Sequence, residues 1–456
     1  MELLSDLTTQ CIRCGFCLES CPTFVITGKE TESPRGRIYL IRSADEGVLE
    51  WDKQVKQHID TCLGCRACEP ACPSGVQYGQ ILELARDRLE REVPHRSKRA
   101  LLRGMTDPKK LRWQLILSKL YPGKKIPWFL SKWLSGESPE VDKPEAPAKV
   151  AWPEICKPQS EIRNHGEVYL LEGCAMRVLF PRVHEATRRL LRRVGFEVRE
   201  VEAGCCGALH AHNGYLDEAR ERAFELIRAM PDDLPVIVNS AGCGATMKHY
   251  AKMLEGELPK AVSTEKRAQP GSELAAARPS TSEFASRVFD ASEFLFQHGL
   301  LDQLNELGDL EVEGNSGTPH PQPPLPAIHR GEGVIAVTYH DACHLAHGQG
   351  IKSEPRKLIE AIPGVKLIEL EESDMCCGSA GIYNLVQPQL ARELLNRKWQ
   401  HIVETRAEIV VSGNPGCHAW IEQASSEHGG KVQVVHTMEL LESAFSGLPQ
   451  RRTQKP

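Results

Sequence analysis

Eight cysteines, in two copies of one spacing, constrain this chain more than any other feature. Cys11, Cys14, Cys17 and Cys21 follow C-x2-C-x2-C-x3-C with Pro22 next, and Cys62, Cys65, Cys68 and Cys72 repeat the pattern with Pro73 next. Three close cysteines in a tight loop can each reach a corner of one small iron–sulfur cube, whereas the fourth sits too far round the turn. The spacing therefore predicts one [4Fe-4S] cluster on Cys11, Cys14, Cys17 and Cys72, and a second on Cys62, Cys65, Cys68 and Cys21. A pair of structural zinc sites is the alternative, because C-x2-C alone also suits tetrahedral zinc. Two complete motifs with the prolines in place count against it.

The motif is that of bacterial ferredoxins. Between its copies, residues 37–60 read as helical, with Ile38, Ile41, Val48, Val55 and Ile59 available for a core. The link is longer than in the smallest ferredoxins, so a helical two-cluster domain is expected over residues 1–100, and two clusters in one small domain suggest a wire for single electrons. Composition agrees with a soluble multi-domain protein: 456 residues, 41% hydrophobic and 26% charged. With 56 Lys+Arg against 61 Asp+Glu, a net charge near −5 argues against nucleic-acid binding. No run of 18 apolar residues offers a membrane span, and Met1-Glu-Leu-Leu-Ser-Asp6 lacks the features of a secretory signal. A cytoplasmic location is expected, where 17 cysteines are read for metal before disulfides.

The remainder contains a duplication. One copy has Cys174, then Gly204-Cys205-Cys206-Gly207, then Ser240-Ala-Gly-Cys243; the other has Cys343, then Met375-Cys376-Cys377-Gly378, then Asn414-Pro-Gly-Cys417. The intervals correspond, at 30 and 32 residues before the double cysteine and 36 and 39 after it. Related text closes each copy, at 288–295 and 434–441. Strands are expected at 168–171, 196–201 and 236–238, and again at 334–337, 365–370 and 409–411. Helices are expected from Pro181 to Gly195 and over 215–230. Intervals of about 30 residues suit βαβ crossovers and parallel strands. Each cysteine station then lies just past the carboxyl end of a strand, where ligand sites gather, so four thiols converge once per copy. Buried structural cysteines are the alternative for one copy; two copies favour metal, either an iron–sulfur cluster or zinc.

The doubled ferredoxin motif followed by two Cys-Cys-Gly (CCG) domains resembles the iron–sulfur subunits of bacterial glycolate oxidase. Cys14-Gly-Phe-Cys17, Pro34-Arg-Gly-Arg-Ile-Tyr-Leu40, Cys72-Pro-Ser-Gly-Val-Gln-Tyr78, Leu171-Glu-Gly-Cys174 and the text at 375–381 carry the resemblance. It covers nearly the whole chain, apart from insertions near 262–283 and 311–332. Heterodisulfide reductases and the iron–sulfur subunits of lactate and glycerol-3-phosphate dehydrogenases share the CCG domains. The resemblance implies an electron-transfer subunit that takes electrons from an FAD-containing flavoprotein as glycolate becomes glyoxylate and passes them to a quinone-type acceptor. One departure matters: heterodisulfide reductases end each repeat in C-x-x-C, and here Ser240 and Asn414 replace the first of those cysteines. That counts against the alternative of direct disulfide reduction.

No G-x-G-x-x-G, P-loop or H-E-x-x-H sequence is present, so a separate subunit is expected to bind the flavin. His340, His344 and His347 flank Cys343 and are expected to fill loops or orient thiolates rather than to ligate. Residues 109–134 hold seven Lys/Arg, no Asp or Glu, and Trp113, Trp128 and Trp133. Such a segment suits peripheral contact with the inner face of the cell membrane. The expected organisation is multi-domain α+β. The ferredoxin-like domain (1–100) leads through a connector (101–160), which contains Cys156, to a first α/β CCG domain (161–300). A Pro-rich linker (301–332) and a second CCG domain (333–448), also with a parallel sheet, follow.

Overall fold

The computed structural model describes residues 2–113, 165–201, 204–254, 280–313 and 334–446. Most of the basic, tryptophan-bearing segment, Cys156 and much of the Pro-rich linker lie outside them. The N-terminal unit is helical: Glu2–Thr9, Pro22–Thr27, Pro34–Asp45, Lys53–Asp60, Tyr78–Glu92 and Arg96–Met105. The stretch between the motifs is two helices, not one. Gly47 takes a left-handed φ of 75° after the first, and Asp52 caps the second through the N–H groups of Gln54 and Val55. Ile38, Ile41, Val55 and Ile59 enter the core with Ile81, Leu82 and Leu89, whereas Val48 sits in the break and is exposed.

Each repeat builds a four-stranded parallel sheet. The first comprises β1 (Gly166–Leu171), β2 (Phe196–Arg199), β3 (Val236–Val238) and β4 (Val288–Asp290), in the order β2-β1-β3-β4. The second comprises β5 (Ile335–Tyr339), β6 (Val365–Ile368), β7 (Ile409–Ser412) and β8 (Gln433–His436), in the order β6-β5-β7-β8. The chain leaves the first strand of each repeat to one side and later returns to the other. That switch point opens a crevice at the carboxyl ends. The related closing texts are the fourth strand and the helix after it, β4 with Ala291–Gln297 and β8 with Thr437–Ser446.

The repeats bury one core together. Val168, Leu170, Leu190, Leu191, Phe294 and Leu295 of the first pack with Val337, Tyr339, Leu358, Ile359, Val411 and Leu441 of the second. Helix Pro181–Arg193 lies on helix Thr437–Ser446, and the corresponding pair, Ser353–Glu360 and Ala291–Gln297, makes the reciprocal contact. This is the self-complementary packing of a two-fold pair. Helix Leu300–Glu313 runs past residue 300 and adds Leu304 to the same core. Among the described residues no helix is long and apolar enough to cross a membrane.

Candidate metal centres and the family

The two motif loops share one backbone. Arg13 and Gly15 in the first, and Gly64 and Arg66 in the second, all take left-handed φ of 59°, 90°, 67° and 64°. Each loop has one glycine and one arginine at those two positions, in opposite order. The arginine in each loop bears a strain that a glycine would not, and the coil it permits turns three cysteines to one side.

Two cradles result. One is lined by Cys11, Cys14, Cys17 and Cys72; the other is lined by Cys21, Cys62 and Cys65. Cys68 and Tyr78 line both. The first set reaches the surface, with Cys14 exposed, whereas Cys21, Cys62, Cys65 and Cys68 are buried. Burial pushes the Cys65 and Cys68 thiols up, and neighbouring sulfurs add to the effect. Crowded, buried thiols of this kind ionise readily only beside a cation, so the donor set fits an iron–sulfur cluster.

The surroundings of the buried cradle are polar and fixed. Arg37 is fully buried. It donates to Glu32 Oε2 (2.8 Å), Thr23 Oγ1 (3.1 Å), Thr61 Oγ1 (2.9 Å) and the His58 carbonyl (2.8 Å), with Cys21 Sγ 4.0 Å away. Against the cost of burial, the Cys62, Tyr78, Cys21 and Glu32 charges hold its proton more tightly than usual. Cys62 Sγ faces the Gly64 N–H (3.4 Å) and the Tyr78 hydroxyl (3.6 Å). Donors and positive charge around sulfur are levers on cluster potential.

The repeat cysteines converge as expected. In the first repeat Cys174, Cys205, Cys206 and Cys243 form a continuous series of sulfur contacts. Hydrogen bonding with Cys205, together with burial, pushes Cys174 up; Cys205 is held well down by Cys174 and Cys206. The next contact, between Cys206 and Cys243, raises the former and lowers the latter. In the second, Cys343 contacts Cys376, Cys376 contacts Cys377, and Cys377 contacts Cys417, with Cys343 half-buried and the other three buried. The glycine after each pair is required by geometry. Gly207 and Gly378 have φ of 84° and 90°, and a Cβ would meet Ala219 O at 2.8 Å and Ala391 O at 2.7 Å.

The positions without the expected cysteine carry donors instead. Asn414 Nδ2 donates to Cys417 Sγ (3.5 Å), while its Oδ1 accepts from Gly242 N–H of the first repeat (3.4 Å). Ser240 contacts Cys243 and lowers it. His344 and His347 turn away from the thiols, Nε2 of one to the Gly64 carbonyl (2.9 Å) and of the other to the Asp374 carbonyl (3.0 Å). His340 does not, and instead stands within 4.8 Å of both Cys377 and Cys417.

Sequence reasoning missed the junction between domains, which joins residues between 126 and 322 positions apart. Cys65 of the ferredoxin-like unit lies beside Cys343 and Cys376 and packs in one cluster with Leu63, Ala67 and Cys377. His344 and Tyr383 clamp this loop through the Gly64 and Thr61 carbonyls, the tyrosine at 2.8 Å. On the other side Arg86 joins the Cys62 carbonyl (2.6 Å) to that of His212 (2.6 Å).

Comparison with known proteins agrees with this arrangement. Residues 8–76 match the 4Fe-4S dicluster domain family, and residues 168–248 and 337–422 each match the cysteine-rich CCG domain family. The chain is 34% identical to the probable glycolate oxidase iron–sulfur subunit of Bacillus subtilis (strain 168), over 94% of this chain and 92% of that one. It is 31% identical to the glycolate oxidase iron–sulfur subunit of Escherichia coli (strain K12), over 95% and 93%. A fumarate reductase (CoM/CoB) subunit from Methanothermobacter marburgensis is 27% identical, over 96% of this chain and 72% of that one. With its two [4Fe-4S] motifs and paired CCG domains, the chain belongs to the family of glycolate oxidase iron–sulfur subunits.

Proposed function

We propose that this chain is the electron-transfer subunit of a flavin-dependent glycolate-oxidising complex. It takes electrons from an FAD-containing subunit as glycolate becomes glyoxylate and delivers them to a quinone-type acceptor. In this reading Cys11, Cys14, Cys17 and Cys72 hold one [4Fe-4S] cluster and Cys21, Cys62, Cys65 and Cys68 the other. Cys174, Cys205, Cys206 and Cys243, and Cys343, Cys376, Cys377 and Cys417, hold the centres of the repeats. Bound clusters supply single-electron carriers between a two-electron flavin and the acceptor.

The observation that carries the reading is order in depth. An open cradle adjoins a buried one, with Cys68 and Tyr78 lining both, and Cys65 of the buried set reaches the thiols of the second repeat. Ile12 and Phe16, about 70% exposed at the open cradle, offer apolar ground for a flavoprotein to cover. Arg37 places a fixed positive charge beside Cys21, stabilising the extra negative charge of the reduced state. We also infer a cytoplasmic location with residues 109–134 resting on the inner face of the membrane, supported by their basic and tryptophan content.

The test is anaerobic mixing of the chain with its flavoprotein subunits and glycolate. Bleaching of the iron–sulfur absorbance is expected. Bleaching with lactate or glycerol 3-phosphate but not glycolate would contradict the assignment. For the membrane, replacing Trp113, Trp128 and Trp133 together by Ser is expected to release the protein from membrane fractions, and unchanged fractionation rejects that contact.

A further inference from the structure

His340 follows the last residue of β5, where its N–H donates to the Val411 carbonyl of β7 (2.9 Å), so its backbone is fixed by the sheet. The side chain is completely buried. Neither ring nitrogen has a hydrogen-bond partner among the described residues. A neutral imidazole has one donor and one acceptor to satisfy, and leaving such groups dry and unpaired is costly. One ring nitrogen and the sulfurs of Cys377 and Cys417 nevertheless lie within 4.8 Å of one another, all three residues buried. The Ser373 carbonyl lies near the imidazole without hydrogen-bond geometry. A histidine that binds metal through one nitrogen commonly turns the other toward such a carbonyl.

The first repeat lacks this feature. Counting back three residues from Cys343 gives His340, and three back from Cys174 gives Leu171, an apolar residue of β1. The repeats therefore share four cysteine stations but differ at the strand end that points into the crevice. In the second repeat the position of the absent fifth cysteine is taken by Asn414, which donates to Cys417 rather than offering a thiolate. A ring nitrogen already stands near the Cys377 and Cys417 sulfurs at the end of the neighbouring strand β5.

We infer that His340 is a ligand of an iron–sulfur centre in the second CCG repeat, which makes that centre mixed cysteine–histidine while the first remains all-cysteine. The inference rests on the reading that the repeats hold iron–sulfur centres, but not on the identity of donor or acceptor. Bound through a neutral imidazole, the centre carries less negative charge than it would with a fifth thiolate in that place, and so a higher potential, as where histidines replace cysteines on a cluster.

The test uses the full chain, purified anaerobically from cells fed 15N-histidine, reduced with dithionite and studied by pulsed EPR without any partner. A directly coordinated 15N coupling is expected in the wild type. It is lost in His340→Gln, while the two ferredoxin-type signals persist as evidence that the chain has folded. His340→Cys is expected to retain the iron and shift that centre's midpoint to lower potential. Absence of a coordinated-nitrogen coupling in the wild type overturns the inference, whether or not the variants fold. So does its persistence in His340→Gln, or a wild-type iron content of no more than the roughly eight that two cubanes need. Failure of glycolate to reduce the complex would leave this result untouched, so the two claims fail separately.

Discussion

At the scale of residues, the chain's chemistry depends on groups buried with their partners in place. Arg37 is the clearest, since its guanidinium joins Glu32, Thr23 and Thr61 while standing beside Cys21. Replacing it by Gln leaves Glu32 buried without its cation, a loss of about 3–5 kcal/mol. Denaturant unfolding of the cluster-loaded protein should show that loss, and a redox titration should show the buried cluster at a lower midpoint. A second case lies between the repeats. His436 Nε2 donates to the Asn239 carbonyl (3.0 Å), and Asn239 Nδ2 donates to His184 Nδ1 (3.0 Å). Burial pushes His436 down to about 3 and His184 to about 4, from an ordinary value of 6.5. Folded pKa values lie below unfolded ones, so this stability is present above pH 6.5 and is lost as the pH falls toward 4 and 3. Unfolding midpoints should be flat near neutrality and fall below pH 6.5, with a shallower fall in His436→Asn; parallel curves would refute it. None of these roles was legible in sequence. Arg37 was visible only as part of a motif, and His340 among three similar histidines that differ in where the fold turns them.

At the scale of elements, the crevice depends on turns that leave strands steeply. Gly378→Ala forces a left-handed φ on a side chain that also meets Ala391 O at 2.7 Å. A loss of at least about 1–3 kcal/mol is expected, with metal lost from the second repeat first; unchanged unfolding and metal content would contradict this. Gly207→Ala should behave alike in the first repeat. Here the sequence was informative, because strand and helix periodicity and the terminal Gly195 are local signals. Strand β3 was expected at its observed bounds, and the helix opening at Pro181 runs to Arg193. The fourth strands were less visible, since Val288–Asp290 is three residues long and its partner β3 is known only once the sheet exists. Val48 shows the opposite error: it suits a helical core by spacing, but the chain breaks its helix there.

At the scale of the whole molecule, the helical unit is joined to the repeats because the second motif loop is clamped into the second repeat. Tyr383→Phe removes the hydroxyl that holds the Thr61 carbonyl, a bond of about 1 kcal/mol. It should slow electron delivery beyond the buried cradle more than it slows reduction by the flavoprotein, as rapid-mixing absorbance would show. The cysteine stations of each motif were legible because spacing is local. The juxtaposition of Cys65 with Cys343 and Cys376 was not, because no local pattern records a contact between segments so far apart in sequence. Counting metal decides whether this family member is a chain of iron–sulfur centres. Iron, zinc and acid-labile sulfide per chain should be measured on anaerobically purified protein, with EPR before and after reduction. More than about eight irons with matching sulfide, two reducible [4Fe-4S] signals and further signals from the repeats are expected. Zinc without sulfide would contradict this.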